Sequence, residues 1–222
     1  GNVLGKLERL IRDLSRSQGK KIKVDIQGQE TELDKTLLES INDPLTHLVR
    51  NSVDHGIEDT EARKRAGKPE TGSINIRAYH EGGQVAIEIR DDGGGINREK
   101  ILKKAISKEI ITEEEAERLS DQKTLNLIFS PGFSTADQVT DISGRGVGMD
   151  VVKTNIEKIG GSVNVQSEEG KGSLFKLKIP LTLAIVPAII FRSKGEFFAI
   201  PQINLVELVR IDNEKKTNCI DK

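Results

Sequence analysis

The sequence predicts an α+β fold: a two-layer α/β sandwich, a mixed sheet with helices on one face, followed by a truncated β-rich segment. Three observations carry this. Strand-like alternation at 22–26, 74–89 and 162–179 supplies the sheet, and long stretches of helical period starting near Val3, Asp43 and Met149 supply the second layer. Past Pro180 the composition shifts to short β elements. The expected organisation is one domain over 1–182 and the incomplete start of a second over 183–222, with a disordered tail.

Val3, Leu4, Leu7, Leu10, Ile11 and Leu14 recur at helical spacing with Arg9, Arg12, Asp13 and Arg16 between them, and Gly19 ends that helix. Ile22, Val24 and Ile26 alternate as in a half-buried strand. A short helix is expected over 34–41. Asp43 is then placed to cap a new helix with Pro44 in its first turn, where a missing N–H is no loss. Residues 57–72 read as a polar loop with one basic helical turn. A hairpin follows, with Ile74, Ile76 and Ala78 answered by Val85, Ile87 and Ile89 across the turn at 81–83.

Asn97 caps a helix carrying Ile101, Leu102, Ala105 and Ile106, and Thr112 with Glu115 forms a capping box for another. A third short helix is expected at about 122–129. The stretch 108–145, poor in apolar residues, has the composition of a flap rather than a core. Val151, Val152, Ile156 and Ile159 define the buried side of a helix closed by Gly160-Gly161. Two strands joined by Glu169-Gly170-Lys171-Gly172 complete the domain. Beyond Pro180, residues 184–191 and 197–200 are apolar and strand-like.

A net charge of −1 over 222 residues argues against nucleic-acid binding through a basic surface, while allowing a local phosphate pocket. A single cysteine, Cys219, excludes an internal disulfide framework and a cysteine-based zinc site, which suits the cytoplasm. No apolar run approaches the roughly 20 residues that span a bilayer, so no membrane insertion is expected.

Three places carry chemistry. On the helix of Asp43–Gly56, Leu45, Leu48, Val49 and Val53 gather on one side; His47, Asn51, Asp54 and His55 gather on the other. Asn51 offers an amide oxygen suited to Mg2+, and the histidines can contact a phosphate or manage a proton, although lone histidines are more often structural. Asp91, at the end of a buried strand, can accept from an exocyclic amine such as that of adenine. The glycines after it let a flat group approach the backbone, yet DDGGG alone is more often a tight acidic turn. Gly144-Arg145-Gly146-Val147-Gly148 before a long helix presents free N–H groups to an anion, or serves only as a hinge. No Walker A, protein-kinase or dinucleotide signature occurs.

Together, Asn51 in HLVRNSVDHG, DDGGGI at 91–96, FSPGF at 129–133, GRGVGMD at 144–150 and EGKGS at 169–173 resemble the N, G1, F, G2 and G3 boxes of the GHKL (Bergerat) ATP-binding fold. The order and spacing make the signal specific. HLVRNSVDHGIE, the GKP before the hairpin and FSPGFST…SGRGVGMDVV resemble, more narrowly, the CheA family of chemotaxis histidine kinases over 1–182. LTLAIVPAIIF…FFAIP resembles the start of a CheW-like regulatory domain.

The resemblance implies ATP and Mg2+ as cofactors and transfer of the γ-phosphoryl group to a histidine on a separate phosphotransfer domain. It also implies a CheW-type adaptor and chemoreceptors as partners through the C-terminal segment, and a homodimer formed by a domain outside this chain. The nucleotide-binding set it implies comprises Asn51, Asp54, Asp91, Gly93, Gly95, Ile96, Ser143, Gly144, Arg145, Gly146, Val147, Gly148 and Met149, with Asn51 as the metal ligand. His47 and His55 are the candidate catalytic pair, and 108–145 is the expected ATP lid. Lys100 and Lys104, at i and i+4, either add positive charge near the phosphates or are solvated surface lysines.

GHKL members that hydrolyse ATP with water carry a glutamate one turn before the box asparagine; here that position is His47. Slow intrinsic hydrolysis and a donor role are therefore expected, with no acceptor among His47, His55 and His80. The competing readings are a self-contained GHKL ATPase and a nucleotide-binding scaffold without kinase activity.

Overall fold

A computed structural model describes residues 3–28, 31, 35–133, 148–181, 188–202 and 205. The chain divides into two compact units, 1–183 and 184–222. The first opens with α1 (Val3–Ser17), β1 (Ile22–Gln27), α2 (Lys35–Asn51), a π-turn (Ser52–Gly56) and α3 (Thr60–Arg65). Then come the hairpin β2 (Gly72–Glu81) and β3 (Gln84–Asp91), helices α4 (Arg98–Ser107), α5 (Glu113–Arg118) and α6 (Asp121–Asn126), and a 3-10 turn (Leu127–Phe129). The unit ends with α7 (Met149–Lys158), β4 (Ser162–Glu168) and β5 (Gly172–Pro180).

The sheet is mixed, in the order β1-β2-β3-β5-β4. β1 runs parallel to β2, and the other neighbours pair antiparallel. Parallel pairing needs a crossover, and α2 to α3 supply it. The inward residues Ile74, Ile76, Val85, Ile87, Ile89, Phe175, Leu177 and Ile179 share one core with Leu7, Ile11, Ile41, Leu45, Leu48, Val49, Val152 and Ile156 of the helices. The outward face is polar: Tyr79 donates to Glu88 at 2.7 Å and accepts from Lys176 at 2.9 Å.

Two expectations change. Asp43 and Pro44 do not begin a helix; both lie inside α2, which runs unbroken from Lys35 to Asn51. An interior proline costs a helix about 3 kcal/mol. The buried series Leu37, Ile41, Leu45 and Leu48 crosses Pro44, itself buried, and offsets that penalty by about 1.5–3 kcal/mol for each large side chain.

The second change concerns the flap. Thr124, Leu125, Ile128, Phe129 and Phe133 are buried, all but Thr124 within the common core, so the expected flap is anchored at least as far as Phe133. Leu125 of α6 packs together with Ile128 and Phe129 of the 3-10 turn even though the segment is polar in composition. α5 keeps its capping box from Thr112 and Glu115, and Asn97 caps α4.

The second unit contains the antiparallel pair β6 (Ala188–Ser193) and β7 (Glu196–Pro201). Phe191 stacks on Phe198 with ring centroids 5.5 Å apart.

Candidate functional site

Asp91 closes β3, opposite Ile74 of β2 and Ser173 of β5. Asp91 is 4% exposed. Oδ1 accepts from the backbone N–H of Gly93 at 3.0 Å and of Ser173 at 3.2 Å, and Oδ2 accepts from the Ser52 hydroxyl at 3.2 Å. Four lone-pair sites less three bonds leave one acceptor position, on Oδ2. Burial pushes the Asp91 carboxyl above its ordinary value of 3.8; the Gly93, Ser52 and Ser173 bonds pull the other way, and neighbouring Asp92 adds to the rise.

The expected reason for the glycines after Asp91 was room for a ligand. The structure gives a different one for two of them. A Cβ on Gly93 would stand 2.0 Å from the Gly56 carbonyl oxygen, and one on Gly95, at φ +70, would stand 2.3 Å from that of Glu168. Both positions need glycine because another main chain passes there. Ile96 continues the same anchoring, its N–H donating to Ser167 at 2.8 Å.

Asn51 ends α2. Its side-chain Nδ2 lies 3.1 Å from the Met149 sulfur at the start of α7. With Nδ2 so engaged, the amide oxygen is turned away from Met149. The next residue, Ser52, is buried and bonds Asp91. Consecutive side chains thus join the base of α7 to the end of β3, and the π-turn begins there. A π-turn takes up one residue more than an α-turn, so the regular helical projection drawn through His55 fails beyond Asn51. The carboxylate of Asp54 receives a bond from Gln18, and Lys20 donates to the carbonyls of Val53 at 2.6 Å and Asp54 at 3.1 Å. His55 is exposed.

His47 is half-buried one turn before Asn51. Burial, aided by the Arg50 charge, holds its imidazole below the ordinary 6.5, against the opposing pull of Asp150 and Asp54; His55 lowers it slightly further. The shift favours the neutral imidazole. Gly148 is the N-cap of α7 and makes no side-chain cap bond. Ser143, Gly144, Arg145, Gly146 and Val147 lie outside the described residues. Lys100 is exposed, and Lys104 stands with its Nζ 5.3 Å from the centroid of the Phe133 ring. Among the described residues there is no cluster of three His, Cys, Asp or Glu side chains able to hold a metal ion. A cation here would need ligands from something bound, and the lone amide oxygen of Asn51 suits a hard ion shared with phosphates.

Four contacts at the candidate site carry no signal in the local sequence: Ser52 and Ser173 on Asp91, Met149 on Asn51, and Lys20 on the π-turn. Ser52, Met149 and Ser173 sit within recognised boxes, but only the packed structure shows whom they touch.

Residues 40–183 match the family described as histidine kinase-, DNA gyrase B-, and HSP90-like ATPase, and the chain belongs to that family. Over 212 residues, 96% of this chain and 32% of the relative, it is 53% identical to the chemotaxis protein CheA of Bacillus subtilis. It is 52% identical to the sensor histidine kinase CheAY of Helicobacter pylori over 97% of this chain and 27% of the relative. The chain thus spans about a third or less of the length of these two relatives. A solved structure, the blue-light activated histidine kinase of Erythrobacter litoralis EL346, is 18% identical with a TM-score of 0.48, over 79% of this chain and 40% of that one. Among the described residues no helix is long and apolar enough to cross a membrane.

Proposed function

We propose that this chain is the ATP-binding, phosphoryl-donating module of a chemotaxis histidine kinase. The observation that carries it is the contact series Met149–Asn51–Ser52–Asp91, which joins a helix N-terminus to a carboxylate with one acceptor position left. Asp91 accepts from the adenine 6-amino group, and the start of α7 faces the phosphates. Asn51 holds Mg2+ through its amide oxygen; the ion, when bound, neutralises phosphate charge and orients the γ-phosphoryl group.

The acceptor is an imidazole on a separate phosphotransfer domain. Its unprotonated nitrogen attacks γ-phosphorus, a P–N bond forms, and the P–O bond to ADP breaks. The acceptor's other ring N–H becomes acidic in the step, and His47, whose burial favours its neutral form, can hydrogen-bond or receive that proton. A carboxylate general base for water is missing at that position, which favours transfer over hydrolysis. The partners are that phosphotransfer domain and, through 183–222, a CheW-type adaptor and chemoreceptors in the cytoplasm.

The test mixes the chain with ATP, Mg2+ and an isolated phosphotransfer domain. Transfer to the domain is the expected result, with no phosphohistidine on the chain itself. Binding without turnover supports a scaffold, and fast hydrolysis without acceptor supports a self-contained ATPase.

A further inference from the structure

The basic turn before the hairpin is far more than a solvated loop. Arg63, in α3, is 1% exposed. Its Nε donates to the Pro69 carbonyl at 2.8 Å, and one terminal nitrogen donates to Glu58 at 3.0 Å and to the Asp92 carbonyl at 3.2 Å. The other terminal nitrogen pairs with the Asp92 carboxylate at 2.9 Å. Lys68 spends all three of its N–H groups: on Glu58 at 2.7 Å, on the Asp92 carbonyl at 3.1 Å and on the Gly93 carbonyl at 2.7 Å.

These bonds converge on the main chain directly after Asp91. The Asp92 N–H donates to Ser73, the Gly93 N–H to Asp91 itself, and the Gly94 N–H to Gly56. With Arg63 and Lys68 on the two intervening carbonyls, every main-chain polar group from the Asp92 N–H to the Gly94 N–H has a partner. The cluster is also charge-neutral: two cations face the carboxylates of Glu58 and Asp92, whose other oxygen accepts from the Ser73 N–H at 2.8 Å. Asp91 takes no part in this cluster and keeps its remaining acceptor position on Oδ2.

We propose that Arg63 and Lys68 are positioning residues for base selection. They lock the peptides of Asp92 and Gly93 so that the Gly93 N–H occupies Oδ1 of Asp91 and its Oδ2 faces a 6-aminopurine. This rests on the reading of Asp91 as the adenine acceptor. A turn free to rotate its peptides can present an N–H donor to the base instead, and a donor suits a 6-oxopurine as well as an aminopurine ring nitrogen.

The experiment titrates the chain with ATP and with inosine triphosphate, which carries oxygen in place of the 6-amino group, by calorimetry with Mg2+. The unsubstituted chain is expected to prefer ATP by at least about tenfold. Arg63→Met and Lys68→Met are each expected to cut that preference at least threefold, by weakening ATP while inosine triphosphate stays within about twofold. Arg63→Lys should recover part of it. Should Arg63→Met fail to fold by circular dichroism, Lys68→Met and Glu58→Gln decide the matter. Equal weakening of both nucleotides, or no change in either, overturns the inference while leaving Asp91 in place. No preference in the unsubstituted chain overturns the adenine reading and this inference together.

Discussion

At Asp91 the same burial that makes a good acceptor also works against folding. Its raised pKa means that, between the unfolded value near 4 and the higher folded value, the native state keeps a proton that the unfolded state has released. Stability therefore falls as pH rises through that window, while ATP affinity rises because the ionised form is the acceptor. Asp91→Asn keeps an oxygen for the Gly93 and Ser173 N–H groups, yet places an N–H2 group against the adenine amine. We expect a 10- to 100-fold loss of ATP affinity by calorimetry and, without nucleotide, a higher melting temperature at pH 7. Melting curves across pH should show the Asp91-linked slope in the parent chain and its loss in the variant.

Asn51 and Met149 make a second prediction at this scale. Asn51→Ala should leave metal-free nucleotide affinity within a few-fold but abolish the gain on adding Mg2+. Met149→Leu keeps volume and removes the sulfur that receives Nδ2; it should lose about 2- to 10-fold of the Mg2+-dependent gain, measured by titration with and without metal. Asn51 is marked by its box as a candidate metal ligand. Its orientation is not, because Met149 lies 98 residues away and adjacency across that distance exists only after α2 and α7 pack.

Among the elements, α2 and its π-turn are where local rules and tertiary packing part company. Asp43-Pro44 is a good helix start by local chemistry, and the core overrules it because the Leu37–Ile41–Leu45–Leu48 stripe is continuous only if the helix is. The π-turn carries no local signal for a related reason: its freed carbonyls at Val53 and Asp54 are satisfied by Lys20, contributed from the α1–β1 connection. Lys20→Met removes both bonds, and we expect a loss of about 1–3 kcal/mol in denaturant unfolding. ATP affinity should fall with it, since Asn51 and Ser52 border the turn. In contrast, α1, the hairpin, the capping box of α5 and the Asn97 cap of α4 followed their local signals, each being specified by residues within one or two turns of one another.

For the whole molecule, the common core formed by the described residues lies within 3–179. A chain ending at Leu183 should therefore unfold cooperatively and bind ATP within about twofold of the longer one, by melting and calorimetry. A fragment of 184–222 should show no cooperative transition, because an isolated two-stranded hairpin is marginal in water.

By itself the sequence determined the α+β class, the sheet-forming segments, the ATP-binding boxes and the membership that follows from them, since each is written in periodicity or in short contiguous motifs. Tertiary structure alone decided that α2 is unbroken, that Leu125, Ile128, Phe129 and Phe133 anchor the segment before residue 134 in the core, that Ser52 and Met149 link the end of β3 to the start of α7 through Asn51, and that Arg63 and Lys68 brace the turn beside Asp91. These depend on side chains far apart in the chain meeting in a low-dielectric interior, where an unpaired polar group is costly enough to dictate its partner.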